Sequence, residues 1–516
     1  MKKLFAVIGI VFLSIVIMLN ICFTAFLDAS EHITINNNNI LYVLGLILVG
    51  ILIYFLTNFI NKILYKEDKR KKLRKWLFIA VIGIYIVSDI LWTIFVRTPI
   101  VGDQVHVACM GQLFARGYDE EILQSMTYAN IPLKDYMQAY NQQIPQAFIY
   151  GLFFKLIHFD GIGVLRVLNV FSVIAIIAAI YKIGNMLSKE YKVNKVLLLT
   201  LMLTFVSLPM LSTFIYGDLP SLAFSLFCVY YMMKYVELNK LKYSLIASIF
   251  SMLGFMMRMN SLIFIIATVI YLLFNLFNKI KTKTAKENII NFIVIIAYII
   301  ISIIPSKLVN NYYIHKYDLD KSKTYPSISY FLLAMEESWR GNGWYNESIG
   351  EPALKDPEGV KEEYLNRIKE RLEYFSQNLG YTFNFYTKKI ASMWAENTYS
   401  SIRNNTSKEN DPLENFIAPL TFYQKVLLIL SCICVIIVLI QNRKNLTPEL
   451  IYLLLIFMGG FAFHILWEAK SRYIIPYIVV LIPIASIKIN KVIRNKKRQL
   501  KSMSMIFENV PKILKH

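Results

Sequence analysis

Four short polar stretches stand out in an otherwise apolar chain of 516 residues, of which 56% are hydrophobic. They contain the carboxylates Asp103, Asp218 and Glu468 and the cations Arg258 and Arg472, each close to an apolar run. Carboxylates can take up a proton during a reaction, and arginines bind anions through paired hydrogen bonds. These residue types predict a site that combines proton transfer with anion binding, provided that the fold brings the stretches together.

Each charged residue also has a plainer interpretation. Asp103 could cap the helix that begins near Gln104, and the two arginines could extend to lipid headgroups. Asp218 and Glu468 could be solvated turn residues. The stretches are "PIVGDQVH" (99–106), "YGD" (216–218), "RMN" (258–260) and "WEAKSRY" (467–473).

The segments that must position these residues are membrane spans. Apolar runs of about 20 residues match the hydrocarbon thickness of a bilayer, and they recur along the chain. The sequence predicts an all-α polytopic membrane protein of about 12 transmembrane helices with a small, mainly helical extracytoplasmic domain. The predicted spans are 4–26, 40–60, 76–96, 162–185, 194–214, 219–236, 242–257, 259–277, 288–306, 421–440, 447–466 and 473–489.

The distribution of Lys and Arg predicts the side of the membrane that each loop faces, because basic loops favour the cytoplasm. The segment 28–39 has neither residue and should face outward. A further apolar window, 144–159, would invert every later loop if it crossed the membrane, so we predict a short helix lying at the outer surface. Both termini are then cytoplasmic. The basic clusters assigned to the cytoplasm are 1–3, 69–75, 279–286, 443–444 and 496–498.

This topology places all four polar stretches and two long segments outside. The second long segment carries apolar residues at helical spacing from Tyr364 to Leu379. The predicted division of the chain is two N-terminal spans with a basic loop (1–75), a transmembrane core (76–306) that contains the first outer loop (97–160), an extracytoplasmic domain (307–420), three C-terminal spans (421–489) and a basic tail (490–516).

The composition of the chain restricts the classes of molecule that it can bind. The formal net charge of +21 lies in clusters between apolar runs, as topology-setting charge does, and therefore does not indicate nucleic-acid binding. The abundance of Ile, Lys and Asn is typical of an AT-rich bacterial genome. We expect a multi-pass protein of the bacterial plasma membrane, with the lipid bilayer as a partner.

The order and common sidedness of the motifs resemble the GT-C superfamily of membrane glycosyltransferases. These enzymes use polyprenyl-phosphate-linked sugars and include protein mannosyltransferases and lipid A aminoarabinose transferases. The resemblance covers roughly residues 76–490. It rests on "GDQVHVACMGQLFARG" (102–117), "YNQQIPQAFIYGLFFKL" (140–156), "LRVLNV" (165–170), "YGDLPSLAF" (216–224), "RMNSLIF" (258–264) and "WEAKSRYIIP" (467–476).

The resemblance implies that Asp103 is the catalytic carboxylate and that the donor is a polyprenyl-phosphate-linked sugar. The acceptor would be an extracytoplasmic hydroxyl of a cell-envelope glycan, teichoic acid, protein or lipid. Asp103 would take the proton of that hydroxyl as it attacks the anomeric carbon in an inverting transfer.

The other polar residues would then hold the donor. The leaving phosphate needs cations in a site of low dielectric constant. Relatives that bind a divalent metal usually carry acidic pairs, but Gln104 follows Asp103, so a metal stays an open alternative with His106 as its candidate ligand. The implied phosphate ligands are Arg258, Arg472 and Lys470, and the implied substrate ligands are Gln104, Asp218, Asn260, Glu468 and Tyr473.

Two other function classes stay open. A transporter or flippase of polyprenyl-linked sugars would place charges within the spans, at mid-bilayer, whereas here they gather at one end of the spans. A non-catalytic membrane subunit of an envelope assembly would leave the outward charges solvated.

Overall fold

A computed structural model describes residues 2–65, 71–96, 98–117, 120–124, 131–159, 161–279, 284–406 and 411–489. The predicted basic tail and parts of the clusters at 69–75 and 279–286 lie outside the described residues. Within them the chain is almost entirely helical, with one two-stranded sheet, which confirms the all-α membrane architecture. Ten of the described helical segments are long and apolar enough to cross a membrane.

The N-terminal region contains the one sheet of the described chain. The predicted span 4–26 is wrong at its C-terminal end, because its last residues form an antiparallel hairpin strand, rich in the aromatic and β-branched residues that favour strands. The hairpin is held by its neighbours, since Lys425 Nζ donates to Phe23 O at 2.7 Å and Ile33 N donates to Arg340 O at 2.8 Å. The elements are α1 (Lys2–Cys22), β1 (Phe23–Leu27), β2 (Ile33–Asn37), α2 (Ile40–Tyr65) and α3 (Lys71–Phe95).

The described part of the segment 97–160, which we predict to be the first outer loop, folds into four short α-helices. The one that contains the predicted surface helix has 14 residues, too few to cross the bilayer. It packs closely on the first helix of the loop, since a Cβ on Gly151 would lie 3.0 Å from Gly111 O, while Leu152 and Leu156 on its other face are exposed. These helices are α4 (Asp103–Arg116), α5 (Glu120–Gln124), α6 (Leu133–Ala139) and α7 (Ile144–Ile157).

Seven helices form the central core. The predicted span 242–257 is a helix of 17 residues, and the predicted span 288–306 begins with a capping box of Thr284 and Glu287 and continues to Lys316. The helices are α8 (Ile162–Leu187), α9 (Lys195–Leu203), α10 (Ser207–Met210), α11 (Asp218–Leu238), α12 (Leu241–Met257), α13 (Leu262–Lys279) and α14 (Ala285–Lys316).

The segment 307–420 packs around two small clusters of buried side chains. Of the predicted apolar pattern, Tyr364 and Phe375 are buried on the longest helix of this segment. Leu372 on the same helix and Leu379 on the next helix are exposed. Its helices are α15 (Ile328–Leu333), α16 (Glu347–Lys355), α17 (Val360–Gln377) and α18 (Leu379–Trp394).

The predicted last span, 473–489, is wrong as a single helix. Pro476 and Pro483 lack the backbone N–H that a continuous helix requires, and the segment forms two helices of 5 residues each. It is buried against α8, α9 and the two preceding helices. The last four helices are α19 (Ile417–Asn442), α20 (Pro448–Ile465), α21 (Ile475–Val479) and α22 (Leu481–Ala485).

Candidate active site

The four polar stretches meet at one end of the helical bundle, around a cavity of about 840 Å³. Its walls come from the hairpin, the first outer loop, the turns before α11 and α13, the segment 307–420 and the turn after α20. The predicted site residues that line it are Asp103, Gln104, His106, Arg258, Asn260, Glu468, Lys470, Arg472 and Tyr473.

Asp103 faces this cavity from the first turn of α4. The N-cap of that helix is Gly102 and no side chain caps it, so the interpretation of Asp103 as a helix cap is wrong. Instead, the Tyr136 hydroxyl donates a hydrogen bond to Asp103 Oδ1 at 3.0 Å. Because Tyr136 is buried on α6, it fixes the orientation of an otherwise exposed carboxylate.

Gln104 and His106 stabilise the position of α4 through contacts with other elements. Gln104 Oε1 accepts a hydrogen bond from Ile215 N at 2.9 Å, which links α4 to the turn before α11. The His106 ring stacks on Tyr136, with the ring centroids 3.9 Å apart. Burial lowers the pKa of His106, so the ring is neutral at neutral pH.

The described residues do not fit a divalent-metal site at His106. Within them, no group of three or more His, Cys, Asp or Glu side chains is arranged to hold an ion. The His106 ring stacks on Tyr136 and its Nδ1 lies 3.2 Å from Gly102 O, while its buried Nε2 has no hydrogen-bond partner but belongs to no such group. We therefore derive no step through a metal.

A glycine turn positions Asp218 and Arg258. Gly217 has φ +82°, and a Cβ there would lie 2.8 Å from Met257 O, so only glycine fits this contact with the end of α12. Asp218 then begins α11, with Oδ1 3.7 Å from Arg258 Nε. Asp218 does not line the large cavity; it holds Arg258, whose guanidinium lies over the Tyr216 ring at 4.3 Å from the centroid.

The turn after α20 supplies two cations, Lys470 and Arg472, that have neither a hydrogen bond nor an ion pair within the described chain. Arg472 is buried and lies over the Phe214 ring at 4.7 Å from the centroid, so it does not extend to lipid headgroups. Burial would lower the pKa of Lys470, but Glu31 and Glu468 raise it. Buried cations without partners favour an anionic ligand.

A second, narrow cavity of about 30 Å³ meets the large one at Arg258 and Arg472. Asp218 lies on its wall. The two cavities share Phe214, Arg258, Asn260, Arg472 and Tyr473, so mostly polar groups separate a wide space of mixed lining from a narrow one that is mostly apolar. The apolar residues of the second cavity are Leu211, Phe214, Leu219, Leu222, Phe264, Ile475 and Pro476.

Sequence reasoning missed a charged group on the far wall. Glu31, at the tip of the hairpin, lies 3.2 Å from Arg403 Nη2 and 3.5 Å from Arg340 Nε. Burial would raise the pKa of Glu31, but the cations Lys470, Arg403, Arg472 and Arg340 lower it to about 2. The three residues come from segments far apart in the chain, and no motif joins them.

Sequence reasoning also missed the aromatic lining of the cavity. Tyrosine is abundant in this chain, with 33 copies, so no single ring attracts notice. The aromatic residues missed are Tyr136, Tyr140, Tyr325, Tyr330 and Tyr345; they line the cavity beside Trp467 of the "WEAKSRY" stretch.

Comparison with known proteins finds one family similarity, over part of the chain. Residues 144–305 match the family model described as dolichyl-phosphate-mannose-protein mannosyltransferase. The match contains Asp218, Arg258 and Asn260 but neither Asp103 nor the turn after α20. No curated protein matches the chain. The family match confirms the resemblance to the GT-C superfamily and supports a multi-pass membrane glycosyltransferase of that type.

Proposed function

We propose that this GT-C-type membrane glycosyltransferase moves a sugar from a polyprenyl phosphate to a hydroxyl group on the outer face of the bacterial plasma membrane. The observation that carries the proposal is the junction of the two cavities. A polyprenyl-phosphate sugar has an apolar tail, an anionic phosphate and a polar sugar in that order. The narrow, mostly apolar cavity, the shared Arg258 and Arg472, and the wide cavity follow the same order, and the narrow cavity of about 30 Å³ would take only the part of the tail next to the phosphate.

The phosphate would lie at the shared cations. Arg472 and Lys470 have no hydrogen-bond or ion-pair partner within the described chain and are available to its oxygens, while Arg258 is held beside it by Asp218. As the bond between the anomeric carbon and the phosphate oxygen breaks, its electron pair stays on the phosphate. The cations stabilise that developing charge, since they are oriented before the reaction and shielded from water. Asn260 and Tyr473 would add neutral hydrogen bonds.

The sugar would lie in the wide cavity, with Asp103 at the incoming acceptor. The acceptor oxygen attacks the anomeric carbon on the side opposite the phosphate, and its proton passes to Asp103, so the configuration inverts. The hydrogen bond from the Tyr136 hydroxyl holds the carboxylate in place. Burial raises the pKa of Glu468, although Lys470 and Arg472 lower it in part. Glu468 would bind sugar hydroxyls, while Asp103, which Tyr136 holds at the cavity, would act as the base.

Replacement of Asp103 tests the base. In Asp103→Asn the side chain keeps its size but takes up no proton, so transfer should fall by about 10²- to 10⁴-fold. The measurement is transfer from a polyprenyl-phosphate-linked sugar by vesicles reconstituted with the full chain. Asp135→Asn is the matched control, because Asp135 is exposed in the same outer loop and does not line the cavity.

A wild-type rate in Asp103→Asn, with Asp135→Asn also active, would overturn the assignment of the base. Movement of polyprenyl-linked sugar across the vesicle membrane without transfer to any acceptor would instead support the transporter. Absence of both activities in wild-type vesicles, together with a normal thermal unfolding transition, would support the non-catalytic subunit.

A further inference from the structure

One side of the large cavity is a continuous run of aromatic rings. Ring centroids lie 4.9 Å apart between Tyr136 and Tyr140, 5.5 Å between Tyr140 and Tyr325, 5.2 Å between Tyr325 and Tyr330, and 5.0 Å between Tyr330 and Trp467. All five side chains line the cavity. We call them the aromatic wall.

The aromatic wall starts at Asp103 and leads away from it. Its first ring, Tyr136, donates the hydrogen bond to Asp103 Oδ1 at 3.0 Å, and its last, Trp467, precedes Glu468. The rings come from α6, the segment 307–420 and the turn after α20, so three separate parts of the chain build one surface. A molecule lying along this surface has one end at the Asp103 carboxylate.

The aromatic wall offers unused hydroxyl groups as well as rings. The hydroxyls of Tyr140 and Tyr330 form no hydrogen bond within the described residues. Burial raises the pKa of both phenols well above their ordinary value, so they are neutral donors and acceptors. Tyr140 stacks on Tyr325 and Tyr330 stacks on Trp467, with interplanar angles of 26° and 17°, so part of each of these ring faces is covered by its neighbour. The five side chains of the aromatic wall carry no charge, and they offer hydroxyls and the uncovered parts of their rings to the cavity.

We propose that the aromatic wall binds a carbohydrate acceptor. A pyranose ring presents a face of C–H groups, which packs on the negative face of an aromatic ring, and a rim of hydroxyls, which pair with phenols. One acceptor hydroxyl then reaches Asp103 at the start of the wall. The inference rests on the proposed function, because Asp103 takes the acceptor proton there, and it names the acceptor as a saccharide rather than a protein side chain.

Binding to the full-length protein in nanodiscs tests the acceptor separately from the donor. The probes are a panel of methyl glycosides and short oligosaccharides of glucose, mannose, galactose and N-acetylglucosamine, a panel of Ser- and Thr-containing peptides, and farnesyl phosphate for the donor site. Saturation-transfer NMR, with irradiation of the aromatic protons, should transfer magnetisation to the C–H groups of at least one saccharide. This readout needs no variant and thus does not depend on the folding of a variant.

Variants then locate the contact. Tyr330→Leu and Trp467→Leu remove a ring and should weaken saccharide binding about tenfold, whereas Tyr330→Phe and Trp467→Phe keep the ring and should stay within about threefold. Phe383→Leu is the control, since Phe383 is 77% exposed on α18 and does not line the cavity. Farnesyl phosphate should bind all of these variants as it binds the wild type.

The outcomes separate the acceptor from the donor. Binding of farnesyl phosphate with no saccharide bound, or with peptides bound instead, overturns the carbohydrate inference and leaves the donor assignment standing. Saccharide binding that the Leu variants do not weaken overturns the aromatic wall as its site. No binding of farnesyl phosphate to the wild type overturns the proposed donor itself.

Discussion

Glu31 controls the charge of a cavity that must both bind and release an anion. Five cations line the cavity: Arg258, Arg340, Arg403, Lys470 and Arg472. Glu31 forms ion pairs with Arg340 and Arg403, and its charge also interacts with those of Lys470 and Arg472. Its pKa of about 2 keeps it ionised at any working pH. A cavity without this carboxylate would hold the leaving phosphate more tightly and release it more slowly.

Glu31→Gln should therefore tighten phosphate binding. Loss of one negative charge beside the cations should lower the inhibition constant of polyprenyl phosphate about tenfold, given an effective dielectric constant of about 20 near a protein surface. Slower product release should lower kcat and the KM for the donor together. Steady-state kinetics in vesicles, with and without added polyprenyl phosphate, measure all three quantities.

Asp28→Asn is the control for Glu31→Gln, because it removes a charge from the same hairpin but does not line the cavity. A Glu31→Gln enzyme that loses activity while its inhibition constant stays at the wild-type value would show that Glu31 merely holds Arg340 and Arg403 in place.

The sequence reveals only those site residues whose unusual free-energy cost is evident from the neighbouring sequence. Arg472 is recognisable because a charge at a lipid boundary is costly to desolvate, whatever the rest of the fold is. Glu31 and Arg403 are not, because each is an ordinary loop residue until the fold brings together two positions that are 372 residues apart. Tyr136 was equally hidden, since its role depends on one hydrogen bond between α6 and α4.

At the scale of elements, the turn at 216–218 determines the position of Arg258, the proposed phosphate-binding arginine. Gly217 adopts φ +82°, and a Cβ there would lie 2.8 Å from both Met257 O and Gln146 Nε2. The turn thus brings the start of α11 against the end of α12 and against α7, and its displacement would move Asp218 away from Arg258.

Gly217→Ala should destabilise the protein by about 1–3 kcal/mol, the usual cost of a strained backbone conformation. It should also raise the KM for the donor, because Arg258 loses its 3.7 Å contact with Asp218. Thermal unfolding in detergent and donor titrations measure the two effects. Gly83→Ala is the matched control: a Cβ there meets nothing within 4 Å, so neither quantity should worsen. An unchanged KM in Gly217→Ala would contradict the link between the turn and the phosphate site.

Elements that the hydrophobicity of their own sequence determines are predictable. Elements that depend on contacts with segments distant in the sequence are not. The prediction that the window 144–159 does not span the membrane depends on the charge of other loops, and the 14-residue length of α7 is consistent with it. The hairpin at 23–37 was missed because its strands continue the apolar run of α1 and are stabilised by contacts with α19 and the segment 307–420. The broken helix after α20 was missed because its burial made it as apolar as a span.

At the scale of the whole molecule, the bundle has two chemically different ends. The cavity occupies one. At the other, Lys189 pairs with Glu237, Asn194 Nδ2 donates to Asn58 Oδ1 at 3.0 Å, and Lys488 N donates to Lys192 O at 2.6 Å. Lysines concentrate in these connections, as the positive-inside rule requires of cytoplasmic loops. A donor that presents its sugar outside the cell needs the cavity at the opposite, outer end.

Cysteine labelling on intact cells tests this sidedness. In a chain whose five native cysteines are replaced by serine or alanine, Ser327→Cys places a thiol on an exposed residue of the cavity wall, and Lys240→Cys places one on the exposed loop between α11 and α12. A membrane-impermeant maleimide should label Ser327→Cys on intact cells and Lys240→Cys only after permeabilisation, because a charged reagent does not cross the bilayer. The reverse pattern would place Asp103, Arg258 and Arg472 in the cytoplasm, where the sugar of an outward-facing polyprenyl phosphate never arrives, and the proposed reaction could not take place.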